Sequence, residues 1–329
     1  MTKTTRAKAR RVFITGAAGF MGAALAERYR QAGWEVRGVD LVVRPESGIV
    51  KGDTRRPETW ASHLAGCDTV IHTAAIVSLR GDPQRFWEVN VLGTRRVLEA
   101  AARAGARRFV HISSVTAFGF KFPDGVEETW PIRTNGSPYV DTKVAGEQVV
   151  LQAHAAGEIP CTIIRPGDVY GPRSPQWTIL PLQAIKSKLM LLPANGKGVF
   201  SPVFIENLVD GIVAAADSKE AIGQVFTLTD GIGVTTKEFF GYYPKMLGGP
   251  ALRGAPTPVA RSLAAIVERV DRLRGVNTEV NPSTVDYLSR TGTYSIAKAR
   301  KVLGYSPAVG LDEGMARTEE WLREEGLLT

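Results

Sequence analysis

Cysteine and histidine are scarce in this chain of 329 residues, which holds 2 of the first and 4 of the second. Cys67 and Cys161 each open an apolar, strand-like run. Two such thiols suit core packing in a reducing compartment better than a bridge or a nucleophile, and the compartment expected is the cytoplasm. The histidines show no ligand spacing, so no metal site is expected. His72 and His111 lie in strand-like runs and read as core histidines with satisfied rings. No apolar run approaches the ~20 residues that a membrane-spanning helix needs. Acid is missing from the first eleven residues, where Lys3, Arg6, Lys8, Arg10 and Arg11 supply five positive charges; removing those five from the net +8 leaves +3. Basic residues are not interleaved with aromatics, which argues against a nucleic-acid partner. Residues 1–10 lack the apolar core of a signal peptide and read as a basic, disordered leader. Internal repeats, low-complexity tracts and linkers are also absent.

What is present begins at residue 11. Residues 12–15 form a short apolar run, as expected of a buried parallel strand. Gly16, Gly19 and Gly22 follow at once, and then an apolar-periodic helix with Phe20, Met21, Leu25 and Tyr29. Strand, glycine turn and helix together make a phosphate cradle. Glycine supplies positive φ without steric cost, and its missing side chain lets a pyrophosphate reach the free N–H groups and positive dipole end of the helix. The spacing is Gly-x-x-Gly-x-x-Gly, not the Gly-x-Gly-x-x-Gly of the common dinucleotide fingerprint. A second strand-like run, residues 34–39, ends at Asp40. An acidic residue about twenty positions after the glycines accepts from the adenosine ribose hydroxyls and repels a 2′-phosphate. Asp40 therefore favours NAD over NADP, with Arg44 as the counter-candidate that could accommodate the phosphate.

Tyr139 and Lys143 stand four apart behind Pro138, in a helical pattern carried by Val140, Val144, Val149 and Val150. At that spacing they share a helix face. An ammonium beside a phenol favours the phenolate and is expected to draw its pKa down from about 10. Tyr139 then serves as a general acid or base. A second match, Tyr294 and Lys298, lacks the Ser113-Ser114 pair that precedes the first match at the end of residues 108–112, and it reads as structural. Cradle and acid–base pair together imply oxidoreductase chemistry on a carbonyl or secondary alcohol.

The chain resembles the extended short-chain dehydrogenase/reductase family, of the NAD-dependent epimerase/dehydratase type, over nearly its whole length. The Gly16/Gly19/Gly22 spacing matches that family. Gly52-Asp53-Thr54 resembles its adenine-contacting turn, and His72-Thr73-Ala74-Ala75 its small-residue loop under the nicotinamide ribose. Asn90 matches a helix position that supports the active site, and Ser114, five residues before Gly119, matches the catalytic Ser or Thr. Arg165-Pro166-Gly167-Asp168-Val169-Tyr170 resembles the strand and loop that close over the nicotinamide; Gly304-Tyr305-Ser306-Pro307 and the Trp321 helix resemble the family's ending. The resemblance implies Ser114, Tyr139, Lys143 and Asn90 as the catalytic group. It implies a cofactor held by Gly16, Ala18, Gly19, Phe20, Met21, Gly22, Asp40, Asp53, Thr54, Thr73, Ala74, Ala75, Tyr139, Lys143, Pro166, Gly167 and Val169. A homodimer is also implied.

Val115-Thr116 follow Ser114 where sugar-nucleotide dehydratases carry Asp-Glu, so no acid is placed to eliminate water. Residues 76–80, 86–90 and 202–210 look most like the 3β-hydroxysteroid dehydrogenase branch. The expected substrate is then a hydrophobic secondary alcohol or ketone, steroid-like or a long-chain β-keto compound. A sugar-nucleotide epimerase of the same family is the alternative, and a dinucleotide sensor without turnover is the alternative of a different class.

The fold expected is α/β: a Rossmann-type, doubly wound parallel sheet over 11–175, then a smaller substrate lobe over 176–329 from which part of the chain returns to the sheet. Trp177 is a pocket candidate, while Phe239, Phe240, Tyr242 and Tyr243 read as core. Residues 256–274 carry an apolar stripe (Val259, Leu263, Ile266, Val267, Val270, Leu273) beside a mostly basic face. The favoured reading packs that stripe on its own lobe. The alternatives are a flap over a greasy substrate or a helix on a membrane surface.

Overall fold

The computed structural model describes residues 10–43, 47–274 and 279–328. Arg44 and the leader up to residue 9 lie outside them.

Seven parallel strands form the central sheet. They are β1 (Arg11–Thr15), β2 (Glu35–Asp40), β3 (Ile49–Lys51), β4 (Thr69–His72), β5 (Arg108–Ile112), β6 (Cys161–Pro166) and a late arrival, Val225–Leu228, labelled β9 below. Two short strands, β7 (Asp168–Tyr170) and β8 (Pro202–Phe204), pair with each other in parallel beside the sheet. The order across the sheet is β9-β6-β5-β4-β1-β2-β3. From β1 the chain runs outward to β2 and β3, then returns to β4 on the other side. That reversal opens a crevice at the carboxyl ends of β1 and β4, where α/β sheets bind ligands. The register brings Thr15 opposite His72 at its floor.

Side chains alternate across the strands. Val12, Ile14, Ile71, Val110, Ile112 and Ile164 belong to one buried cluster, which includes Leu25 and Tyr29 of α1 (Phe20–Gln31). Phe13, Val70, Phe109 and Ile163 belong to the opposite cluster, with Val97 and Leu98 of α2 (Gly93–Arg103) and Val150 of α3 (Pro138–Ala155). With both faces covered, the strands read as unbroken apolar runs rather than alternating ones. The second cluster absorbs both cysteines, which are free and buried.

Beyond β8 the chain comes back to the sheet. Helix α4 (Ile205–Asp217) belongs to the α1 side, and β9 pairs with β6 in the register Val225↔Ile163. Helices α5 (Thr257–Leu273), α6 (Pro282–Leu288) and α7 (Leu311–Glu324) follow. Phe239 and Tyr243 are core, as read from the sequence; Phe240 is buried but also lines the cavity, and Tyr242 is half-buried and donates to Asp312.

The stripe on α5 corrects the favoured expectation. Its six large apolar residues are 38–83% exposed, and only Ala260 and Ala264 of that helix are buried. The helix is attached through those small residues, through Arg261 on Asp286 and through Glu268 on Arg80 at 3.6 Å. The large side chains occupy a different arc. Periodicity says which residues share a face, but not whether protein covers it.

Candidate active site

A cavity of about 870 Å³ runs along the carboxyl edge of the sheet and continues under α6. At one end lies the glycine turn. Gly16 has φ +68° and its N–H donates to Val39 O at 2.8 Å. A Cβ on Gly22 would stand 2.1 Å from Gly16 O, so only glycine lets α1 start this close to the turn. Gly19 caps α1 without a side-chain bond, which leaves the helix N-terminus open towards the cavity that Gly16, Gly19, Phe20, Met21 and Gly22 line. The Asp40 carboxylate accepts from the Ala18 N–H at 2.9 Å and the Val42 N–H at 3.2 Å, which fixes it beside the turn.

Asp53 and Thr54 line the same end. Arg55, absent from the sequence reading, forms an ion pair with Asp53 at 2.6 Å and holds that carboxyl below its ordinary range. Thr73, Ala74 and Ala75 form the floor, and the Thr73 hydroxyl donates to Thr15 O at 2.7 Å. Pro166, Gly167 and Val169 line the opposite wall, and a Cβ on Gly167 would meet Ser201 O at 2.6 Å.

Ser114, Tyr139 and Lys143 meet in the middle of the cavity, all three buried. Lys143 Nζ lies 5.7 Å from the Tyr139 ring centre and donates to Ile112 O at 2.9 Å. Burial lowers Lys143 to about 8, against the pull of Glu147 one turn further along α3. Tyr139 departs from the expected direction. Burial pushes its phenol up to about 12, and a hydrogen bond with Ser114 draws it down. Removing a phenolate from water outweighs its neighbours here.

Behind the reacting groups lies a polar layer. Glu147 is fully buried; Arg165 donates to it at 2.9 and 2.8 Å, and the Ser113 hydroxyl at 2.6 Å. Asn90 does not line the cavity. It sits in a π-helical turn (Trp87–Leu92), accepts from the Ile76 N–H at 2.8 Å, and donates to Ile76 O and Thr142 Oγ1, each at 3.1 Å. It ties the loop after β4 to α3 beside Lys143. His72 is a satisfied core histidine, bonded to Thr15 Oγ1 at 2.7 Å and Thr94 Oγ1 at 2.9 Å. His111 is not: its ring is buried, and neither nitrogen has a partner among the described residues. It stacks on His72 at 5.6 Å, and burial, with the charges of His72 and Lys143 added, lowers its pKa well below the usual histidine value.

The far end of the cavity is mainly apolar, with Gln176, Gln183, Ser187, Glu279 and Thr284 as its polar lining. Trp177, Leu180, Met190, Phe240, Tyr287 and Leu288 line it, and Trp177 stacks on Tyr287 at 5.7 Å. Tyr287 donates to buried Asp168, on which Arg290 also bonds at 2.9 Å. This cluster fixes α6 against β7. Its members come from segments more than a hundred residues apart, so no local pattern announces it. Tyr294 is structural, as read, with its hydroxyl on Arg290 at 3.0 Å.

Comparison with known proteins agrees with this architecture. The model of the NAD dependent epimerase/dehydratase family matches residues 12–228. A 3-beta-hydroxysteroid dehydrogenase of Mycolicibacterium neoaurum is 31% identical over 95% of this chain and 91% of its own length. A 4-hydroxy-2-methyl-3-oxo-4-farnesyl-3,4-dihydroquinoline-1-oxide ketoreductase of Stigmatella aurantiaca is 30% identical over 93% of this chain and 94% of its own. Among solved structures, the UDP-glucose 4-epimerase of Thermotoga maritima with UDP-glucose superposes with a TM-score of 0.79 at 21% identity. It covers 96% of this chain and 99% of that one, a likeness of fold alone. The chain belongs to the NAD-dependent epimerase/dehydratase family of extended short-chain dehydrogenases/reductases.

Proposed function

We propose that this protein is an NAD-dependent dehydrogenase or reductase that interconverts a hydrophobic secondary alcohol and its ketone, with a steroid-like compound as the leading substrate. One observation carries the substrate class. From Pro175 onward, the described cavity lining contains no Arg or Lys, and its only charged side chain is Glu279. A nucleotide-sugar diphosphate is held best by cationic partners, above all arginine forks. A wall of Trp177, Leu180, Met190 and Leu288 offers apolar contact instead.

The residues at the other end fit a nicotinamide dinucleotide. A Cβ would close the cradle at Gly22, and Asp40 stands at the turn as an acceptor for ribose hydroxyls. Its negative charge favours NAD over NADP. When bound, the nicotinamide accepts or supplies hydride at the substrate carbon. Ser114 Oγ hydrogen-bonds the substrate oxygen and steadies its developing charge. Tyr139 Oη takes the alcohol proton on oxidation and returns it on reduction. Lys143, charged below about pH 8, supports negative charge on the phenol oxygen. Lys143 also orients ribose hydroxyls.

The test is NADH formation from a 3β-hydroxysteroid and NAD, beside the same assay with Tyr139→Phe. Turnover that falls at least ~100-fold in the variant supports the reading. No steroid turnover, with epimerisation of a UDP-hexose by the same preparation, overturns it in favour of a sugar-nucleotide epimerase.

A further inference from the structure

We infer that α5 is an interfacial helix that docks the protein on an anionic lipid surface. The stripe of Val259, Leu263, Ile266, Val267, Val270 and Leu273 points into solvent, with Leu273 83% and Ile266 60% exposed. Contiguous exposed apolar surface of this kind marks an interaction site rather than a monomer's ordinary face. No described helix is long and apolar enough to cross a membrane. A 17-residue helix with one apolar arc is built to lie in the boundary plane instead.

Charge decides the occupant. Arg269 lies beside the stripe, Arg274 follows its last turn, and both are exposed, with no ion pair among the described residues. The acids of the helix face elsewhere: Glu268 is on Arg80 and Asp271 is half-buried. Near the cavity, exposed Lys188 precedes Leu189, which lines it and is 74% exposed. An apolar arc with a cationic rim complements anionic headgroups above acyl chains. A second copy of the chain fits less well, because a two-fold interface sets the same arginines against each other.

The position of the helix gives the docking a use. Helix α5 packs on α6, whose Thr284, Tyr287 and Leu288 wall the cavity. Its Glu268 reaches Arg80, at the end of the Val77–Leu79 segment that lines the cavity from the other side. The helix thus spans the two walls of the apolar end. A lipid-soluble ligand could pass from the bilayer into the cavity with little exposure to water.

Co-sedimentation with vesicles tests this without any substrate, so its failure is separate from failure of the proposed reaction. The probes are phosphatidylcholine vesicles and vesicles of equal phosphatidylcholine and phosphatidylglycerol. The full chain should pellet with the second set, at least fivefold more than with the first. Leu263→Ser/Ile266→Ser/Leu273→Ser should lose at least tenfold of that binding, with its thermal melt unchanged because all three side chains are exposed. As a second reading, Ile266→Trp should show a blue shift in tryptophan emission on anionic vesicles. The inference is overturned if neither vesicle binds the chain and the emission does not shift. It is also overturned if light scattering finds a dimer that the triple variant dissolves, which would assign the face to a second copy.

Discussion

Glu147→Gln removes the one negative charge that three buried groups share. The carboxylate accepts two bonds from Arg165 and one from Ser113, and the Arg165 and Glu147 side chains are 4% and 0% exposed. Glutamine keeps one acceptor oxygen but turns an amide N–H₂ towards Arg165 or Ser113. The guanidinium then stays buried without compensation. Breaking a buried pair in this way costs about 3–5 kcal/mol. Unfolding entropy of about 2.1 cal/mol/K per residue, over 329 residues, is roughly 0.7 kcal/mol/K, so the melting temperature should fall by about 4–7 °C. A purely structural role would stop there. Glu147 also raises the pKa of Lys143, which burial has brought to about 8. Without that charge Lys143 loses its proton at lower pH, and the alkaline limb of kcat/KM should shift to the acid side. Glu147→Asp keeps the charge and should leave the limb in place even where it lowers the melt. A Gln variant that melts within 1 °C of the parent, or an unmoved limb, refutes the reasoning.

Ser114→Ala removes the hydroxyl proposed to steady the substrate oxygen, and kcat should fall by about 10²–10³ with cofactor affinity held, measured by steady-state kinetics and fluorescence titration. Gly22→Ala sets a methyl 2.1 Å from Gly16 O, so cofactor binding should weaken at least tenfold in the same titration. Asp40→Ala removes the acceptor and the negative charge beside the turn, and the ratio of kcat/KM for NAD over NADP should drop by at least tenfold. Acid should destabilise the protein through His72, which burial lowers from 6.5 to about 3. The unfolded state then binds the extra proton between those values, so stability is full above about pH 6.5 and falls as pH drops towards 3. The slope is about 1.4 kcal/mol per pH unit. Burial also lowers His111, which stacks on His72, so it adds to the loss in the same direction. Urea melts at pH 7 and pH 5 should differ by at least the His72 contribution, and His72→Asn should reduce the difference without abolishing it.

Much of the nucleotide-binding half was legible because its physics is local. Strands covered on both faces appear as apolar runs, and the turn at Gly16 needs a residue type that the sequence displays. Tyr139 and Lys143 share a helix face by spacing alone. The unread parts depend on what surrounds a residue. Glu147 continues the Tyr139–Lys143 face, but a glutamate in a helix reads as solvated until Arg165 arrives from β6. Tyr287, Arg290 and Asp168 meet only because β7 and α6 are brought together. The direction of the Tyr139 shift failed for the same reason, since burial is a property of the fold. The stripe on α5 was visible as a stripe, yet its exposure depended on whether anything packs there.

The raised phenol bears on how the site works. Tyr139 near 12 does not lose its proton to bulk water at neutral pH. In the proposed reaction its proton would therefore move only to or from an oxygen bonded to it, and Ser114, whose hydrogen bonding favours the phenolate, lies beside the phenol in the same cavity. Buried charge sets the balance around this step. Lys143 and Arg165 are positive and Glu147 is negative, which leaves one positive charge behind the phenol. Burial disfavours that charge while it stands alone, as the lowered pKa of Lys143 shows. It becomes favourable once negative charge develops on the substrate or phenol oxygen. In the proposed reaction the environment would thus match the charge of the reacting state rather than the resting one, which is the condition for lowering a barrier.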